Sequence, residues 1–407
     1  MIRVALILLG AGESSRFRDS AQCCDTNLTT HLPATKLPKK QWLRLDEIPL
    51  WLKVAQNLHT VYTFSHCILS AKASEIPYMQ KYLSALGLNF TLVNGGETRQ
   101  ESLQNAINVL ENLGSAEYVF VSDIARCNIP KDLSHRILQE LGHYDCVVPF
   151  LNLQDTVAYT DCDSTLRYLK RENLKIIQTP QLSKLSVLKS ALLKGKFTDE
   201  SSAICANGGR IGFVAGALEA KKLTFIEDLQ DLPLPPPSKR VLVGNGSDIH
   251  ALKAGNGVVL GGITIPCDLE LIAHSDGDVC LHALCDAILG AIGAGDIGEW
   301  FPDTDVAYKG ADSKILLQKV VEFAYAVGYN IIQADITIFA QKPKISPYKA
   351  AMESQIAQLL GIPSFKVNVK ATTTEKLGFV GKGEGILTQA TVVLEYFDWK
   401  TYHKGRI

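Results

Sequence analysis

Short apolar runs alternate with amphipathic stretches over the first part of the chain. The clearest apolar runs span 3–9, 67–70, 118–121 and 146–148, and the clearest amphipathic stretch spans 101–113. This alternation is typical of a sheet of mostly parallel strands with helices between them. We therefore predict an α/β fold for this part, in which ligands bind at the carboxyl ends of the strands.

The second part combines longer strand patterns with three helical patterns. The strand patterns span 257–265, 331–339, 365–370 and 385–396, and the helical patterns span 278–292, 312–327 and 348–360. These strands are more than one pair of helices requires, so we predict an α+β fold with helices on one face of a sheet.

A proline-rich stretch divides the two parts. Residues 231–240 read DLPLPPPSKR, and proline interrupts both helices and strand ladders. We predict a stiff linker of polyproline type at 231–240, between a domain at 1–230 and a domain at 241–407. Within the first domain, the polar residues 19–37 predict a mobile loop.

Composition narrows the class of protein. A chain of 407 residues with 46% hydrophobic and 20% charged residues suits a globular protein of two or three domains. A formal net charge of −1 gives no support for a nucleic-acid partner, and no apolar run is long enough to span a membrane. The ten cysteines form no disulfide framework, and residues 1–4 lead into a strand rather than a signal peptide. We therefore expect reduced thiols, a cytoplasmic location and small-molecule substrates.

The second part contains three potential metal ligands, Asp248, His250 and His282. Residues two apart in an extended chain point to the same face, so Asp248 and His250 should project together. His282 lies on the polar stripe of a predicted helix, four residues from both Asp278 and Asp286. Two imidazoles and one carboxylate suit a catalytic divalent ion with one open coordination position, whereas a structural zinc more often uses thiolates. A surface turn is the alternative interpretation of the Asp-x-His pair by itself.

Glycine turns and cations predict a phosphate site in the first part. Gly10, Ala11 and Gly12 follow the first strand, where backbone N–H groups can approach phosphate oxygens. A second glycine turn at 94–99 precedes Ser102, and Asp123 follows a strand at a position that suits a magnesium ligand. Nucleotidyl transfer needs a metal ion and positive charge on the triphosphate. The candidate cations here include Lys39, Lys40, Arg126, Arg171 and Lys222. The alternatives are a tight turn without a ligand and ordinary solvated charges.

Eight motifs of the first part carry a resemblance to a known family: LLGAGESSRF, PKKQW, NGGETRQES, SDIAR, QDT, LKRENLKIIQTPQ, TDESS and KKLTFIEDL. On these motifs, residues 1–230 resemble 2-C-methyl-D-erythritol 4-phosphate cytidylyltransferase, a Rossmann-like nucleotidyltransferase. The resemblance implies that Arg16 and Lys40 stabilise the reacting α-phosphate of CTP, that Arg171 and Lys222 bind methylerythritol phosphate, and that Asp123 binds magnesium. Further substrate or nucleotide contacts are implied for Gly10, Ala11, Gly12, Ser102, Arg126, Thr156 and Thr198.

The first part also departs from that family. The family has a histidine and a proline where this chain has Ser122 and Cys127, and an arginine where it has Ser15. Because the lysine loop is lengthened by residues 19–37, Lys39 and Lys40 are alternatives for the catalytic lysine.

The second part carries a closer resemblance. Its motifs are GSDIHAL, LGGITIP, AHSDGDVCLHALCDAILGAIGAGDIGEWFPDTD, KGADS, AQKPKISPY and NVKATTTEKLGFVGKGEGI. Residues 241–400 resemble 2-C-methyl-D-erythritol 2,4-cyclodiphosphate synthase. The resemblance implies zinc or a similar ion at Asp248, His250 and His282, and a second ion, magnesium or manganese, placed with the help of Glu375.

The same resemblance implies the remaining roles in the second part. His274 and Thr373 would stabilise the transition state, with Ser275 beside His274 on a flexible loop. Lys382 stands where the family has an arginine, so it keeps the charge but loses a bidentate contact with phosphate. Substrate or nucleotide contacts are implied for Asp286, Asp296, Ile297, Gly298, Phe301, Pro302, Asp303, Thr304, Asp305, Ala340, Lys344, Ile345, Thr372, Thr374, Phe379 and Lys382.

Together the two resemblances predict a bifunctional enzyme of the non-mevalonate isoprenoid pathway. Its first domain would make CDP-methylerythritol, and its second would cyclise the 2-phosphorylated product and release CMP. One alternative is an active cyclase with a weakly active or assembly-only first domain, and another is a purely structural metal trio. The resemblances also imply trimeric contacts through the second domain and dimeric contacts through the first, which would combine in a hexamer.

Overall fold

The computed structural model describes residues 2–22, 36–114, 116–160, 166–230, 232–302, 304–305, 308 and 310–402. The chain divides into two compact units. The first comprises Met1–Ala21 and Ile48–Leu232, and the second comprises Gln22–Glu47 and Pro233–Ile407. Asp303, residue 231 of the predicted linker and residues 23–35 of the predicted loop lie outside the described residues.

Strands and helices alternate in both units. The described strands are β1 (Val4–Leu9), β2 (Arg44–Leu45), β3 (Ile48–Pro49), β4 (Cys67–Ala71), β5 (Thr91–Asn94), β6 (Tyr118–Asp123), β7 (Cys146–Asn152), β8 (Val157–Thr160), β9 (Leu166–Leu169), β10 (Lys175–Ile177), β11 (Gln181–Lys184), β12 (Ile211–Ala215), β13 (Val241–Ala254), β14 (Val258–Leu260), β15 (Ile263–Ile265), β16 (Leu269–Ile272), β17 (Tyr329–Phe339), β18 (Val367–Thr372) and β19 (Gly385–Tyr396). The described α-helices are α1 (Ser15–Gln22), α2 (Leu50–His59), α3 (Ile76–Ala85), α4 (Arg99–Leu113), α5 (Lys131–Gln139), α6 (Leu185–Leu192), α7 (Glu200–Ala206), α8 (Val279–Ile292), α9 (Ile297–Trp300), α10 (Ser313–Ala326), α11 (Lys349–Leu360), α12 (Gly378–Gly381) and α13 (Trp399–Tyr402). None of these helices has the length and apolar character needed to cross a membrane.

The first unit is built on an eight-stranded sheet. Its order is β10–β7–β11–β6–β1–β4–β5, and β12 also pairs with β7. β4 and β6 run parallel to β1, and β5 runs parallel to β4, whereas β11 runs antiparallel to β6. All six residues of β1 are buried, which explains why this strand reads as a continuous apolar run. The predicted α/β fold with mostly parallel strands is confirmed.

The parallel strands bring three predicted features to one edge of this sheet. Because β1, β5 and β6 point the same way, their carboxyl ends lie together. The loop at 10–12 follows β1, the glycine turn at 94–99 begins at the last residue of β5, and Asp123 is the last residue of β6.

The second unit is built on a five-stranded sheet of order β16–β13–β19–β17–β18. Only β17 and β18 are parallel among the pairs of this sheet, and α8 packs on the buried face of β13. Val241, Val243 and Ile249 lie on the opposite face of β13 and are exposed. The predicted α+β fold is confirmed.

Two sequence predictions of local structure were wrong. The predicted strand at 257–265 is a hairpin, β14 and β15, because Gly261 and Gly262 between them adopt positive φ angles of 60° and 77°, the conformation of a tight hairpin turn. The loop predicted at 19–37 was wrong at its start, since residues 19–22 belong to α1. That helix escaped prediction because a buried Phe17 stands among mostly polar residues.

The second unit includes residues 36–47 from early in the chain, which we term the anchor segment. Arg44 is fully buried there, and its guanidinium donates to the carbonyl of Val327 (3.2 Å) and the hydroxyl of Tyr329 (3.0 Å). Its guanidinium carbon also lies 4.9 Å from the Tyr329 ring centroid and 5.3 Å from that of Tyr396. Trp399 donates its indole N–H to the Arg44 carbonyl (2.7 Å). Aromatic faces and oxygen acceptors together compensate the loss of hydration of this charge.

The end of the proline-rich stretch also pairs with the anchor segment. The N–H of Asp46 donates to the Pro236 carbonyl (2.9 Å), and the N–H of Ser238 donates to the Asp46 carbonyl (2.9 Å). The compact units therefore do not follow the linear order of the chain at residues 22–47, and the domain boundaries at 1–230 and 241–407 stay a prediction.

Replacing Arg44 with leucine is expected to lower the free energy of unfolding by about 2–5 kcal/mol, because two buried oxygen acceptors lose their donor. Urea denaturation followed by tryptophan fluorescence measures the change. Arg240→Leu is the matched control, since Arg240 forms an ion pair with Glu47 but its side chain is 64% exposed. That control should cost less than about 1 kcal/mol, and equal effects of the two variants would contradict the anchoring role of Arg44.

Candidate active sites

The loop at 10–12 and the glycine turn at 94–99 lie against each other at the edge of the first sheet. A Cβ on Gly95 would lie 2.1 Å from the Cβ of Ala11, and a Cβ on Gly10 would lie 2.2 Å from Cδ1 of Ile124. The N–H of Gly10 donates to the carbonyl of Ser70 (3.0 Å). Glycine is therefore needed at positions 10 and 95 for close packing, and Gly12, which has no neighbour within 4 Å of a Cβ, borders open space.

Ser102 shapes the glycine turn from within. Its hydroxyl accepts the N–H of Gly96 (3.0 Å) and donates to the carbonyl of Thr98 (3.0 Å), and the residue is buried. Thr98 in turn caps α4 by accepting the N–H of Glu101 (3.1 Å). Recognition of the nucleotide by Ser102 stays a prediction.

Behind this edge lies a charge cluster formed by two buried acids, Asp123 and Glu200, and two half-buried cations, Arg99 and Lys222. Nε of Arg99 donates to Asp123 (2.8 Å), and its two terminal nitrogens donate to the two oxygens of Glu200 (2.8 and 3.2 Å). Nζ of Lys222 donates to the second oxygen of Asp123 (2.6 Å). One guanidinium thus bridges two carboxylates, with a bidentate contact to Glu200 that favours this geometry.

The cluster sets the ionisation of its two acids in opposite directions. Burial would raise the pKa of Asp123, but the charges of Arg99 and Lys222 outweigh burial and hold this pKa well below its usual range. The pKa of Glu200 is raised, because complete burial outweighs its contact with Arg99. Asp123 is therefore a carboxylate whose two oxygens are already paired with cations.

Asp123 does not fit a magnesium site built from protein ligands alone. Among the described residues, no group of three potential ligands includes it. A magnesium ion would need oxygens from elsewhere, and substrate phosphates are its usual additional ligands.

The other residues predicted for the first site differ in how far they are buried. Arg126 is buried, and its guanidinium donates to the hydroxyl of Thr179 (2.9 Å) and the carbonyl of Ala220 (2.7 Å). Lys39 is buried with its N–H bonded to the Ala326 carbonyl (3.0 Å), whereas Lys40 is half-buried. Four more predicted residues are exposed: Arg16 in the first turn of α1, Thr156, Arg171 and Thr198.

In the second unit, Asp248, His250 and His282 meet as predicted from their spacing, and we term them the Asp-His-His trio. Oδ2 of Asp248 lies 3.0 Å from Nε2 of His250 and 3.0 Å from Nδ1 of His282, and the two nitrogens are 3.3 Å apart. Bonds of about 2.0–2.1 Å at tetrahedral angles would separate zinc ligands by roughly 3.3 Å. The donor set and its spacing therefore fit a divalent ion.

The charge state of the trio suits the same role. Burial would raise the pKa of Asp248, but hydrogen bonds from His250 and His282 and their positive charge hold it well below its usual range. Asp248 is therefore ionised, which is the form that binds a metal.

Two glycines allow α8 to bring His282 to β13. A Cβ on Gly246 would lie 2.2 Å from the carbonyl oxygen of Ala283, and a Cβ on Gly244 would lie 1.9 Å from that of Ala287. Any side chain at either position would therefore push the helix away from the strand. Asp278 caps the start of α8: its buried carboxylate accepts N–H groups of the first turn and those of Gly261 (2.9 Å) and Gly262 (2.6 Å). Asp278 thus positions the helix and does not face the trio.

Two of the predicted substrate contacts, Asp286 and Asp296, lie in the middle of α8 and at the start of α9. Asp286 is half-buried and accepts the N–H of Ile297 (2.7 Å), and Asp296 caps α9 by accepting the N–H of Glu299 (2.9 Å). Burial raises the pKa of Asp286. Gly298 belongs to α9, Phe301 is buried, and Pro302, Thr304 and Asp305 are exposed.

The predicted nucleotide contacts follow β17 and β18. The N–H of Ala340 donates to the carbonyl of Thr372 (3.1 Å), which joins the two segments. Thr373 donates to the carboxylate of Glu375 (3.0 Å), and Glu375 has a positive φ of 51°. Ala340 and Ile345 are buried, Thr374 is half-buried, and His274, Lys344, Thr372, Thr373, Glu375, Phe379 and Lys382 are exposed. Among the described residues, the trio is the only group of three potential ligands, and it does not include Glu375.

Comparisons with known proteins match both parts of the chain. The family model of 2-C-methyl-D-erythritol 4-phosphate cytidylyltransferase matches residues 34–232, and that of the YgbB family matches residues 241–395. A bifunctional enzyme IspD/IspF of Campylobacter fetus subsp. fetus is 48% identical over 401 residues, which cover 98% of this chain and 99% of that protein. Its counterpart of the same name in Wolinella succinogenes is 46% identical over 400 residues, 98% of each chain. This chain belongs to the bifunctional IspD/IspF family.

A solved structure agrees with this family assignment. The bifunctional IspDF from Campylobacter jejuni is 44% identical and matches with a TM-score of 0.80. The match covers 98% of this chain and 100% of that chain. The fold described above is thus the fold of an IspD/IspF protein over nearly its whole length.

Sequence reasoning missed several residues that build the two sites of this IspD/IspF chain. Glu200 lies 101 positions from Arg99, and no local pattern marks either as a partner of Asp123. Gly244 and Gly246 had a readable signal, because a glycine inside a strand pattern often marks a close approach of another backbone.

Gly246→Ala is expected to destabilise the second unit by about 1–3 kcal/mol, because the new methyl group would overlap backbone atoms of α8. Displacement of α8 should also weaken zinc binding by the trio. Gly290→Ala is the control, since the nearest atom to its added Cβ lies 3.9 Å away, and alanine within a helix should be neutral or stabilising by about 0.5–1 kcal/mol. Urea denaturation and competition with a chromophoric zinc chelator measure the two effects, and a tolerated Gly246→Ala would refute the packing argument.

Arg99→Leu should cost about 3–5 kcal/mol, because two buried carboxylates lose their shared cation. Without Arg99, the folded-state pKa of Glu200 moves further above its unfolded value. A carboxyl group with a raised folded-state pKa stabilises the fold while it stays protonated, and this contribution is lost as the pH rises through that pKa. In urea denaturation, the variant should therefore lose more free energy of unfolding relative to the parent protein at about pH 8 than at about pH 5. Adding Glu200→Gln should remove most of this extra pH dependence; if it persists, another group causes it.

Proposed function

We propose that this chain is a bifunctional enzyme of the non-mevalonate isoprenoid pathway. Its first domain transfers CMP from CTP to 2-C-methyl-D-erythritol 4-phosphate and releases pyrophosphate. Its second domain converts CDP-methylerythritol 2-phosphate into 2-C-methyl-D-erythritol 2,4-cyclodiphosphate and releases CMP. The observation that carries this proposal is the end-to-end alignment with bifunctional IspD/IspF proteins, with both family models matched in order.

In the first reaction, a phosphate oxygen of methylerythritol phosphate displaces pyrophosphate from the α-phosphorus of CTP. The enzyme needs no covalent nucleophile, so its residues act by positioning the reactants and neutralising charge. We assign the loop at 10–12 and the exposed Arg16 to the triphosphate. Lys222 would bind the methylerythritol phosphate, and its contact with Asp123 (2.6 Å) supports this role by holding the ammonium group in place. The roles of Lys40, Arg126, Arg171, Thr156 and Thr198 stay predictions.

The alternative of a weakly active first domain rests on Ser122 and Cys127, where the chain departs from its family. Both are buried, and burial raises the pKa of the Cys127 thiol to about 11, so it is neutral. These departures concern residues of the interior rather than exposed cations, and no observation favours the alternative.

In the second reaction, the 2-phosphate attacks the β-phosphorus of the CDP group, although both groups are anionic. A divalent ion bound to the Asp-His-His trio would act as a Lewis acid and offset this repulsion. We assign Glu375 to help place a second magnesium or manganese ion, with Thr373 holding its carboxylate through their hydrogen bond. His274, on the exposed loop before α8, would donate to the phosphates as charge develops, and Lys382 would contribute positive charge.

The assembly is part of the same proposal. Exposed apolar residues on the hairpin of β8 and β9 (Tyr159, Leu166 and Tyr168) support a dimer contact through the first unit. The exposed face of β13 and β16 supports a trimer contact through the second unit, since such patches commonly mark interfaces. Both contacts together would give a hexamer. A cytoplasmic location, with small-molecule substrates and no nucleic-acid partner, completes the proposal.

Variants of the two sites should separate the two activities. Lys222→Ala should reduce pyrophosphate release from CTP and methylerythritol phosphate at least about 100-fold, because a charge-assisted phosphate contact is lost, and should leave CMP release intact. His282→Ala should abolish CMP release from CDP-methylerythritol 2-phosphate and leave pyrophosphate release intact. Circular dichroism decides whether the His282 variant is folded: a folded, inactive variant rejects a purely structural role of the trio. Pyrophosphate release that is absent from the parent protein would defeat the transferase assignment.

A further inference from the structure

The imidazole of His282 has polar partners on both of its nitrogens. Nδ1 faces Asp248 and His250, whereas Nε2 lies 2.9 Å from the hydroxyl of Ser313 and 3.2 Å from that of Ser275. Ser313 is the first residue of α10 and is fully buried. A buried hydroxyl at this position must satisfy its one donor and its acceptor sites within the protein.

Asp276 determines which way the Ser313 hydroxyl points. The Ser313 hydroxyl makes a short hydrogen bond to one oxygen of the Asp276 carboxylate, and the Ser313 N–H donates to the other oxygen (3.2 Å). An ionised carboxylate only accepts hydrogen bonds, so the Ser313 hydroxyl donates its single hydrogen to Asp276. Its oxygen can then only accept a hydrogen bond from His282.

This direction makes Nε2 of His282 the donor to Ser313. With a metal ion bound at Nδ1, the nitrogen that faces Asp248 and His250, the imidazole keeps its hydrogen on Nε2, where Ser313 accepts it. Asp276 itself is held in place, because its N–H donates to the carbonyl of Ala311 (3.2 Å) and its carboxylate accepts the N–H of Asp278 (3.3 Å). The order of donors is therefore His282 to Ser313 to Asp276, and no hydrogen is available to reverse it.

We propose that Asp276 and Ser313 are positioning residues that hold His282 as a metal ligand through Nδ1. They do not touch the metal position, and they act only through His282. The inference rests on the proposed metal site of the trio and adds to it the outer partners that orient His282. Ser275 is the rival partner of Nε2, but its contact is longer, it is only half-buried, and it accepts the N–H of Gly277 (3.1 Å).

The test measures zinc affinity in the full-length protein, with zinc alone and a competing chromophoric chelator. Ser313→Ala should weaken zinc binding about 10–100-fold, the usual effect of losing an outer partner of a histidine ligand. Asp276→Asn should weaken it less, because the amide oxygen still accepts from Ser313 but the charge is lost. Ser275→Ala should change the affinity less than Ser313→Ala does.

A second measurement separates positioning from folding. Selective 15N labelling of histidine in the zinc-loaded protein reports the state of each His282 ring nitrogen through its chemical shift. The parent protein should show zinc at Nδ1 and a hydrogen-bonded N–H at Nε2, and Ser313→Ala, checked by circular dichroism to be folded, should shift the Nε2 signal. Unchanged zinc affinity and an unchanged Nε2 signal in that variant, or a larger loss of zinc affinity with Ser275→Ala, would overturn the inference. Absence of zinc binding in the parent protein would instead refute the metal site on which the inference rests.

Discussion

The close approach of β13 and α8 is the constraint on which the second site depends. Asp248 and His250 belong to a strand, His282 belongs to a helix, and their ligand atoms come within 3.0–3.3 Å because nothing separates the two backbones. Gly244 and Gly246 provide this contact, since any Cβ there would overlap helix backbone. The metal ligands are thus positioned by two glycines, which have no side chain that could bind a metal or a substrate. Rigid elements hold such a site more accurately than loops do.

The first site is organised by charge rather than by close backbone packing. Asp123 and Glu200 balance Arg99 and Lys222, so the cluster carries no net formal charge. A substrate phosphate that reaches this edge therefore finds Lys222 already oriented, but its own negative charge still needs cations outside the cluster. Exposed Arg16 at the start of α1 is one such cation. Removing one member of the cluster leaves a buried charge without its partner, which costs more than the pair contributes when it is complete.

Sequence patterns predicted the features that depend on local periodicity. β1 was readable because all its residues are apolar, and α8 because its apolar residues recur at helical spacing. The trio could be predicted from the sequence because Asp248 and His250 are two residues apart on a strand. The Arg99–Glu200 contact and the contacts that bury Arg44 could not be predicted, because they join residues that are far apart in the chain. The hairpin at Gly261 and Gly262 was missed because periodicity does not report backbone φ angles, although two adjacent glycines are a known turn signal.

The fusion of the two activities does not imply that an intermediate passes between them. The two reactions are not consecutive, because a phosphorylation of the 2-hydroxyl must occur between them and the sequence carries no kinase motif set. CDP-methylerythritol therefore has to leave the enzyme before its phosphorylated form returns. What the chain does share is structure: the anchor segment precedes most of the first unit yet packs in the second, where Arg44 is buried among aromatic rings. A cut at 231–240 would leave this segment on the fragment that carries the first unit, so the two parts of the second unit would no longer be covalently joined. The second unit is thus assembled from chain segments on both sides of most of the first unit, independent of any transfer of metabolites.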